Sequence, residues 1–344
     1  MSRRFRASFG ALAAVLGVTA ASVILAGQGP AAAKGTPGKT PWGHPDLQGI
    51  WTSNTMAGVP LERAKEYGTR ATLTDEELAK RRARASQASQ DNKTERTGQV
   101  GNEQGPTHWY EWFGRESRAT SLIIDPPDGL IPALTPEGQK MKIIAGTFGT
   151  PRFDSPQDFN TWDRCITRGM PTAFIPTAYN NAYQILQTPN EVVIFYEMLH
   201  TFRVIPLGGR PHVGSGIQLW EGDSRGRWEG NTLVVEVTNF SEKTRGALPA
   251  NGSSGELPVS GRVYTGTGNS GRLVERFTRV SADTIRYEAT ITDLTVYTKP
   301  WTIALDLGRD DKYQIYEYAC HEGNRAVENS LSGSRAEERA AAKP

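Results

Sequence analysis

From about Ala182 to Cys320, apolar and polar residues alternate with a period of two, and this run constrains the fold more than any other feature of the chain. Alternation sends successive side chains to opposite faces of a pleated strand, so each segment has one face to bury. The pattern predicts strands at Tyr183–Gln187, Val192–Met198, Phe202–Ile205, Thr232–Thr238, Leu273–Val280, Thr284–Thr292, Trp301–Leu307 and Ile315–Cys320. Short connections join most of them, which pairs neighbours antiparallel. Eight such strands can close into a barrel, and closure removes exposed edges. The predicted class is mostly β, an antiparallel meander barrel with an irregular, partly helical N-terminal segment; a sandwich is the rival.

The N-terminal segment, residues 34–160, has a different texture from the predicted barrel domain, 161–330. Residues 35–46 are rich in Gly and Pro and read as an extended lead-in to a short apolar and aromatic patch, Leu47 to Trp51. Thr74 with Glu77 three residues on is a capping box, which predicts a polar surface helix that begins at Thr74 to Glu77 and continues through Leu78–Ala85. Ser86 to Gln104 has almost no large apolar residue and is read as mobile. Arg118–Asp125 reads as a strand, residues 126–129 as a turn, and Thr135–Ile144 as a short helix with Pro136 in its first turn. Residues 331–344 form a polar C-terminal tail.

Ahead of all this stand Arg3, Arg4 and Arg6, an apolar run from Ala11 to Ala26, and the small residues Ala31, Ala32 and Ala33. Charged, then apolar, then small is the order of a cleavable signal peptide over residues 1–33. A membrane anchor is the competing reading, but the run has about 16 residues against roughly 20 for a spanning helix. The expected location is periplasmic or secreted, with no membrane span after cleavage. Phe5 follows the paired arginines at once, which favours general export over the twin-arginine route. Lys and Arg number 39 against 37 Asp and Glu, so no basic surface is expected to track a nucleic-acid backbone. Two cysteines, Cys165 and Cys320, read as a disulfide in an oxidising compartment, with free thiols or metal ligation as alternatives.

Chemistry is sought among the five histidines, at 44, 108, 200, 212 and 321. Glu197 and His200 lie three apart at the end of a predicted strand, and His321 follows Cys320, where a disulfide would hold it in place. No close-spaced metal motif is present, so neither a metal nor a cofactor is expected. His titrates near neutrality and a buried Glu is tuned toward it, which makes His321, His200 and Glu197 candidate proton-transfer groups. Arg168, Arg203 and His212 are candidate substrate-binding residues. Arg168 either pairs with a substrate carboxylate or, with Arg164, satisfies Asp163 and backbone carbonyls near the disulfide. Glu197, Glu236, Glu275, Glu288 and Glu317 all fall inside predicted strands. They mark either the solvent faces of an ordinary barrel or a partly polar lumen that holds a ligand. Asp223 to Thr232 reads as a polar hairpin lead-in, with Gly230-Asn231 as its turn and Trp228 on the barrel rim. Ser224 is in no G-x-S-x-G elbow, and Gly214-Ser215-Gly216 does not join a strand to a helix, so α/β-hydrolase and dinucleotide folds are excluded.

The segments Pro41 to Trp51, Asp163-Arg164-Cys165, Tyr196 to His200, Gly209 to His212, Gly222 to Gly230 and Tyr318 to Gly323 resemble a family of exported bacterial proteins. The resemblance spans most of the chain after residue 33 and implies a lipocalin-like β-barrel without naming a reaction. Its pattern includes both cysteines and His200, His212 and His321. Family members often carry Asp where this chain has Thr201 and Asn231, so no role is carried over there. The leading expectation is an exported barrel enzyme doing acid-base chemistry, as a lyase, isomerase or hydrolase, on a small hydrophobic or aromatic molecule. The alternative is a non-catalytic periplasmic carrier for a hydrophobic ligand.

Overall fold

The structure is a computed structural model that describes residues 38–91, 117–140, 153–177, 179–244 and 270–342. Its centre is one antiparallel sheet that curls into a nearly closed barrel. The strands are β1 (Gly49–Thr52), β2 (Ile123–Asp125), β3 (Ala182–Gln187), β4 (Glu191–Tyr196), β5 (Phe202–Pro206), β6 (Asp223–Glu229), β7 (Thr232–Thr238), β8 (Arg272–Ser281), β9 (Thr284–Thr292) and β10 (Trp301–Arg309). The order round the barrel is β5-β4-β3-β1-β10-β9-β8-β7-β6, with β2 pairing β10 off this path. The mostly β, antiparallel barrel expected from the alternation is thus the observed fold. Two meanders make it, β3 to β5 and β6 to β10.

The bridge between the meanders is β1, whose Trp51 faces Arg309 of β10 on one side and Tyr183 of β3 on the other. The apolar patch that follows the Gly/Pro lead-in is therefore a central strand. Its buried Trp51 donates from Nε1 to the Leu47 carbonyl at 2.8 Å. A path of nine strands in which every neighbour is antiparallel leaves its two end strands running the same way. β5 and β6 consequently meet as parallel neighbours, joined by residues 207–222, and side chains rather than a ladder pack their seam. Gly226 permits the approach: a Cβ there would stand 2.8 Å from both Ile205 and Leu207.

Strict alternation holds in β4, β8 and β9, and it feeds a continuous core of Tyr183, Ile185, Ile194, Ile205, Leu233, Val235, Phe277, Tyr287 and Leu305. Phe174, from the segment before β3, enters this core. Its ring centroid lies 4.3 Å from Tyr287, 4.9 Å from Tyr183, 5.3 Å from Tyr196 and 5.5 Å from Phe277. The barrel interior around Phe174 is thus occupied by the protein's own aromatic side chains.

Several local readings are corrected. Residues 315–320 form no strand; they run as a strap whose contacts go to side chains. Of Arg118–Asp125, only Ile123–Asp125 is strand. The Asp223–Glu229 segment is a full strand, β6, and its Gly230-Asn231 turn to β7 has Gly230 at φ +59°. Helix α1 (Asp75–Asp91) is longer than expected and absorbs the start of the stretch read as mobile. Its capping box is present: the Thr74 amide donates to Glu77 at 2.8 Å and the Glu77 amide to Thr74 Oγ1 at 3.3 Å. Helix α2 (Pro136–Lys140) covers the described part of the second predicted helix, and α3 (Ala326–Ala341) takes in most of the polar C-terminal residues. Residues 1–33, the rest of the stretch read as mobile, and residues 141–144 lie outside the described residues. No helix among the described residues is long and apolar enough to cross a membrane.

Candidate functional site

The site residues divide into three groups, of which the first gathers around the disulfide. Cys165 and Cys320 are bonded, with their Cα atoms 5.5 Å apart, so the chain just before β3 is tied to the strap that follows β10. Asn324 adds to the tie by donating to the Asp163 carbonyl at 3.2 Å. The strap is fastened further by Glu197, which has no exposed surface. Its carboxylate accepts the Tyr313 hydroxyl at 2.8 Å and the Tyr316 amide at 3.2 Å. Through these two bonds Glu197 holds the strap.

His200 meets the same strap, with Nδ1 2.7 Å from the Tyr318 carbonyl. A carbonyl only accepts, so Nδ1 carries a proton and donates, which sets the tautomer with Nε2 as the site left for a lone pair. Leu199 and His200 both have positive φ, 64° and 43°, an unusual state for residues with side chains and one that turns this ring toward the strap. The rings of His200 and His321 stand 5.4 Å apart at 70°. His321 is exposed.

Arg168 stands three residues after Cys165 and is 9% exposed. Its guanidinium carbon lies 5.3 Å from the Trp162 ring. Burial lowers its pKa to about 10, while the phenols of Tyr183, Tyr318 and Tyr179 favour the cation. Tyr179 and Tyr318 stack with centroids 6.2 Å apart. Tyr318 therefore touches both halves of the group, since its carbonyl orients His200 and its ring lines the surroundings of Arg168. No ion pair joins Arg168 to Asp163 or to any other described carboxylate, and its Nε has no hydrogen-bond partner.

The second group lies inside the barrel. Arg203 on β5 reaches across to Glu275 on β8 with two bonds, 2.7 and 3.2 Å, both residues being buried. Tyr287 donates to the same carboxylate at 2.8 Å. Burial works against the Arg203 charge, and the Glu275 carboxylate more than restores it. This pair explains the strand glutamates. Glu275 faces the interior, whereas Glu236 and Glu288 face outward, Glu236 to Arg227 and Arg272 and Glu288 to Arg286. Glu317 is exposed and lies in the strap. Arg203 is correspondingly engaged by protein and is separate from the histidine pair.

Beside this pair the carboxyl of Glu221 accepts the Thr167 hydroxyl, and its Oε2 is sealed from water without a partner. Burial raises its pKa above 4.5. A carboxyl whose folded pKa is raised contributes stability that is complete below its unfolded pKa and is lost as pH rises through the folded value. Glu221→Gln, which stays neutral, is expected to remove that loss. Urea midpoints at pH 4.5 and pH 8 should fall less with pH in the variant than in the parent; equal falls would refute the assignment.

The third group is His212, whose Nδ1 donates to Asp223 at 2.8 Å. The same carboxylate accepts the Val213 amide at 3.1 Å and Arg225 at 2.7 Å. Asn239 donates to the carbonyls of Val213, Gly214 and Ile217. His212 thus belongs to a network that folds the 207–222 connection, apart from His200 and His321.

Trp162, Tyr179, Tyr183, Tyr318, Tyr313 and Glu221 were not singled out from sequence. The aromatic residues read as ordinary core, and Glu221 carries no local signal. A cavity of about 550 Å³ lies outside the barrel wall, where β9 and β10 face the N-terminal segment, lined by Met56, Arg63, Arg118, Arg286 and Asp306 among others. It includes none of the expected site residues. Among the described residues no three His, Cys, Asp or Glu side chains gather as metal ligands. No family model, no curated protein and no solved structure matches the chain.

Proposed function

We propose that this chain is an exported barrel enzyme that carries out acid-base chemistry on a small, largely apolar molecule at the disulfide-bearing end of the barrel. The observation that carries the reading is His200, whose proton is fixed on Nδ1 by the Tyr318 carbonyl. That leaves Nε2 as a base, with the second imidazole of His321 next to it to pass protons to solvent. Glu197 acts by holding the strap that presents the carbonyl. Proton transfer through such a pair can serve a lyase, isomerase or hydrolase reaction without a cofactor. The signal-like N-terminus and the disulfide support export. The carrier reading loses support because Phe174 and its aromatic neighbours occupy the interior that a lipocalin-type ligand would fill.

The test is turnover of a panel of small aromatic and apolar compounds, followed by proton NMR. His200→Ala and His321→Ala are each expected to lower the rate by about 10²-fold or more. Turnover undiminished in the double variant would rule the reading out, as would retention of an intact ligand by purified protein in native mass spectrometry without any turnover.

A further inference from the structure

Arg168 presents a chemical imbalance. A guanidinium taken out of water is strongly unfavourable unless an anion compensates it, and buried charges in proteins are accordingly paired. Arg203 obeys this rule through Glu275. Arg168 does not: it is more than nine-tenths buried, it has no described carboxylate as partner, and its Nε is unpartnered. With a pKa held near 10 it is still a cation at neutral pH.

What surrounds the charge limits its partner. The neighbours that bear on it are phenols, Tyr183, Tyr318 and Tyr179, with the Trp162 ring at 5.3 Å. Among the described residues no second cation bears on the site, which suits a monoanion and not a multiply charged phosphate. Guanidinium presents parallel N–H groups that match a planar carboxylate, and half-buried Trp162, Tyr179 and Tyr318 offer aromatic faces and hydroxyls around it.

We infer that Arg168 anchors the carboxylate of a small organic acid with an aromatic or apolar body. The inference rests on the proposed function only for the idea that this end of the barrel meets substrate, and it names the substrate class. The carboxylate seats on Arg168, and the body packs between Trp162 and the Tyr179–Tyr318 pair. Tyr318 then links recognition to the His200 base through its own backbone.

Binding is measured apart from turnover, on the full chain with its disulfide intact, by isothermal titration and tryptophan fluorescence. The probes are benzoate, benzyl alcohol and inorganic phosphate. Benzoate is expected to bind at least tenfold tighter than either of the others. Arg168→Gln is expected to weaken benzoate at least tenfold while raising the melting temperature of the ligand-free protein, because the unpaired charge is gone. Arg168→Lys is expected to keep part of the affinity. Equal affinity for benzoate and benzyl alcohol, tighter binding of phosphate, or benzoate affinity unchanged in Arg168→Gln would each overturn the inference. Should Arg168→Gln fail to fold, the comparison of the three probes on the parent protein decides. Turnover and benzoate affinity are read separately on the parent protein, so absence of turnover with benzoate bound overturns the acid-base reading alone, and absence of benzoate binding overturns the anion site.

Discussion

Glu275→Ala is expected to lower the unfolding free energy by about 3–5 kcal/mol, the usual consequence of removing one partner of a buried ion pair. The reason is Arg203. Its guanidinium stands in the barrel interior, and Glu275 supplies both of its hydrogen-bonded contacts there. Without the carboxylate a full charge is left among Tyr196, Phe277 and Tyr287, and the Tyr287 hydroxyl loses its acceptor as well. Arg203→Met alone should be nearly as damaging, because it strands Glu275 in turn. The double replacement Arg203→Met with Glu275→Leu should recover most of the loss, since exchanging a whole buried pair for apolar side chains is often neutral. Urea unfolding of Arg203→Met, Glu275→Leu and their double variant measures the cycle. Additive losses in the double variant would show that the two side chains act independently and that the pair is not the unit of stability.

The contrast between Arg203 and Arg168 shows what the sequence could and could not reveal. Both were expected to bind substrate. Which one has an anionic partner depends on Glu275, 72 residues away and on a strand that is no neighbour of β5 in the sheet. Period-two alternation cannot carry that information, because it fixes a face and not what stands across the lumen. The long strands β8, β9 and β10 were legible for the same reason that they are regular: their inward positions fall at every second residue and are mostly large apolar residues, with Glu275 and Arg279 the buried charged exceptions in β8.

Strand β6 was hidden because its inward positions are Ser224, Gly226 and Trp228, two of them small to admit β5 at the parallel seam. Its charged residues, Arg227 and Glu229, are outward partners of Glu236 and Arg276. Strand β1 is four residues long, and its place between β3 and β10 follows from tertiary contacts alone. The strap shows the opposite error. Residues 315–320 alternate like a strand, yet their polar contacts are the carboxylate of Glu197 and the ring of His200. The histidines were legible only as separate residues, and the meeting of the His200 and His321 rings follows from the path of the strap.

Opening the Cys165–Cys320 bond is expected to have an effect of similar size, and on two observables at once. The bond spans 155 residues. For a loop of that length the chain-entropy model gives a ceiling of roughly 5 kcal/mol, and measured values usually fall in the range of about 2–4 kcal/mol. The paired variant Cys165→Ala with Cys320→Ala should therefore unfold at clearly lower urea. Its second consequence is local. Tyr318 precedes Cys320 by two residues and Arg168 follows Cys165 by three, so the bond holds together the two chains that form the Arg168 surroundings. Without it the strap is retained by Glu197, by the contact between His200 and the Tyr318 carbonyl, by Asn324 on the Asp163 carbonyl and by the Tyr179–Tyr318 stack, which are individually weak. Proteolysis of residues 310–325 should accelerate in the variant under native conditions, and benzoate affinity should fall even where the barrel is still folded. Tyr313→Phe, which removes one strap contact and leaves the disulfide, should speed cleavage less. If the double-alanine variant lost stability but kept both its resistance to cleavage and its benzoate affinity, the strap would be held by its own packing, and the disulfide would act on the unfolded chain alone.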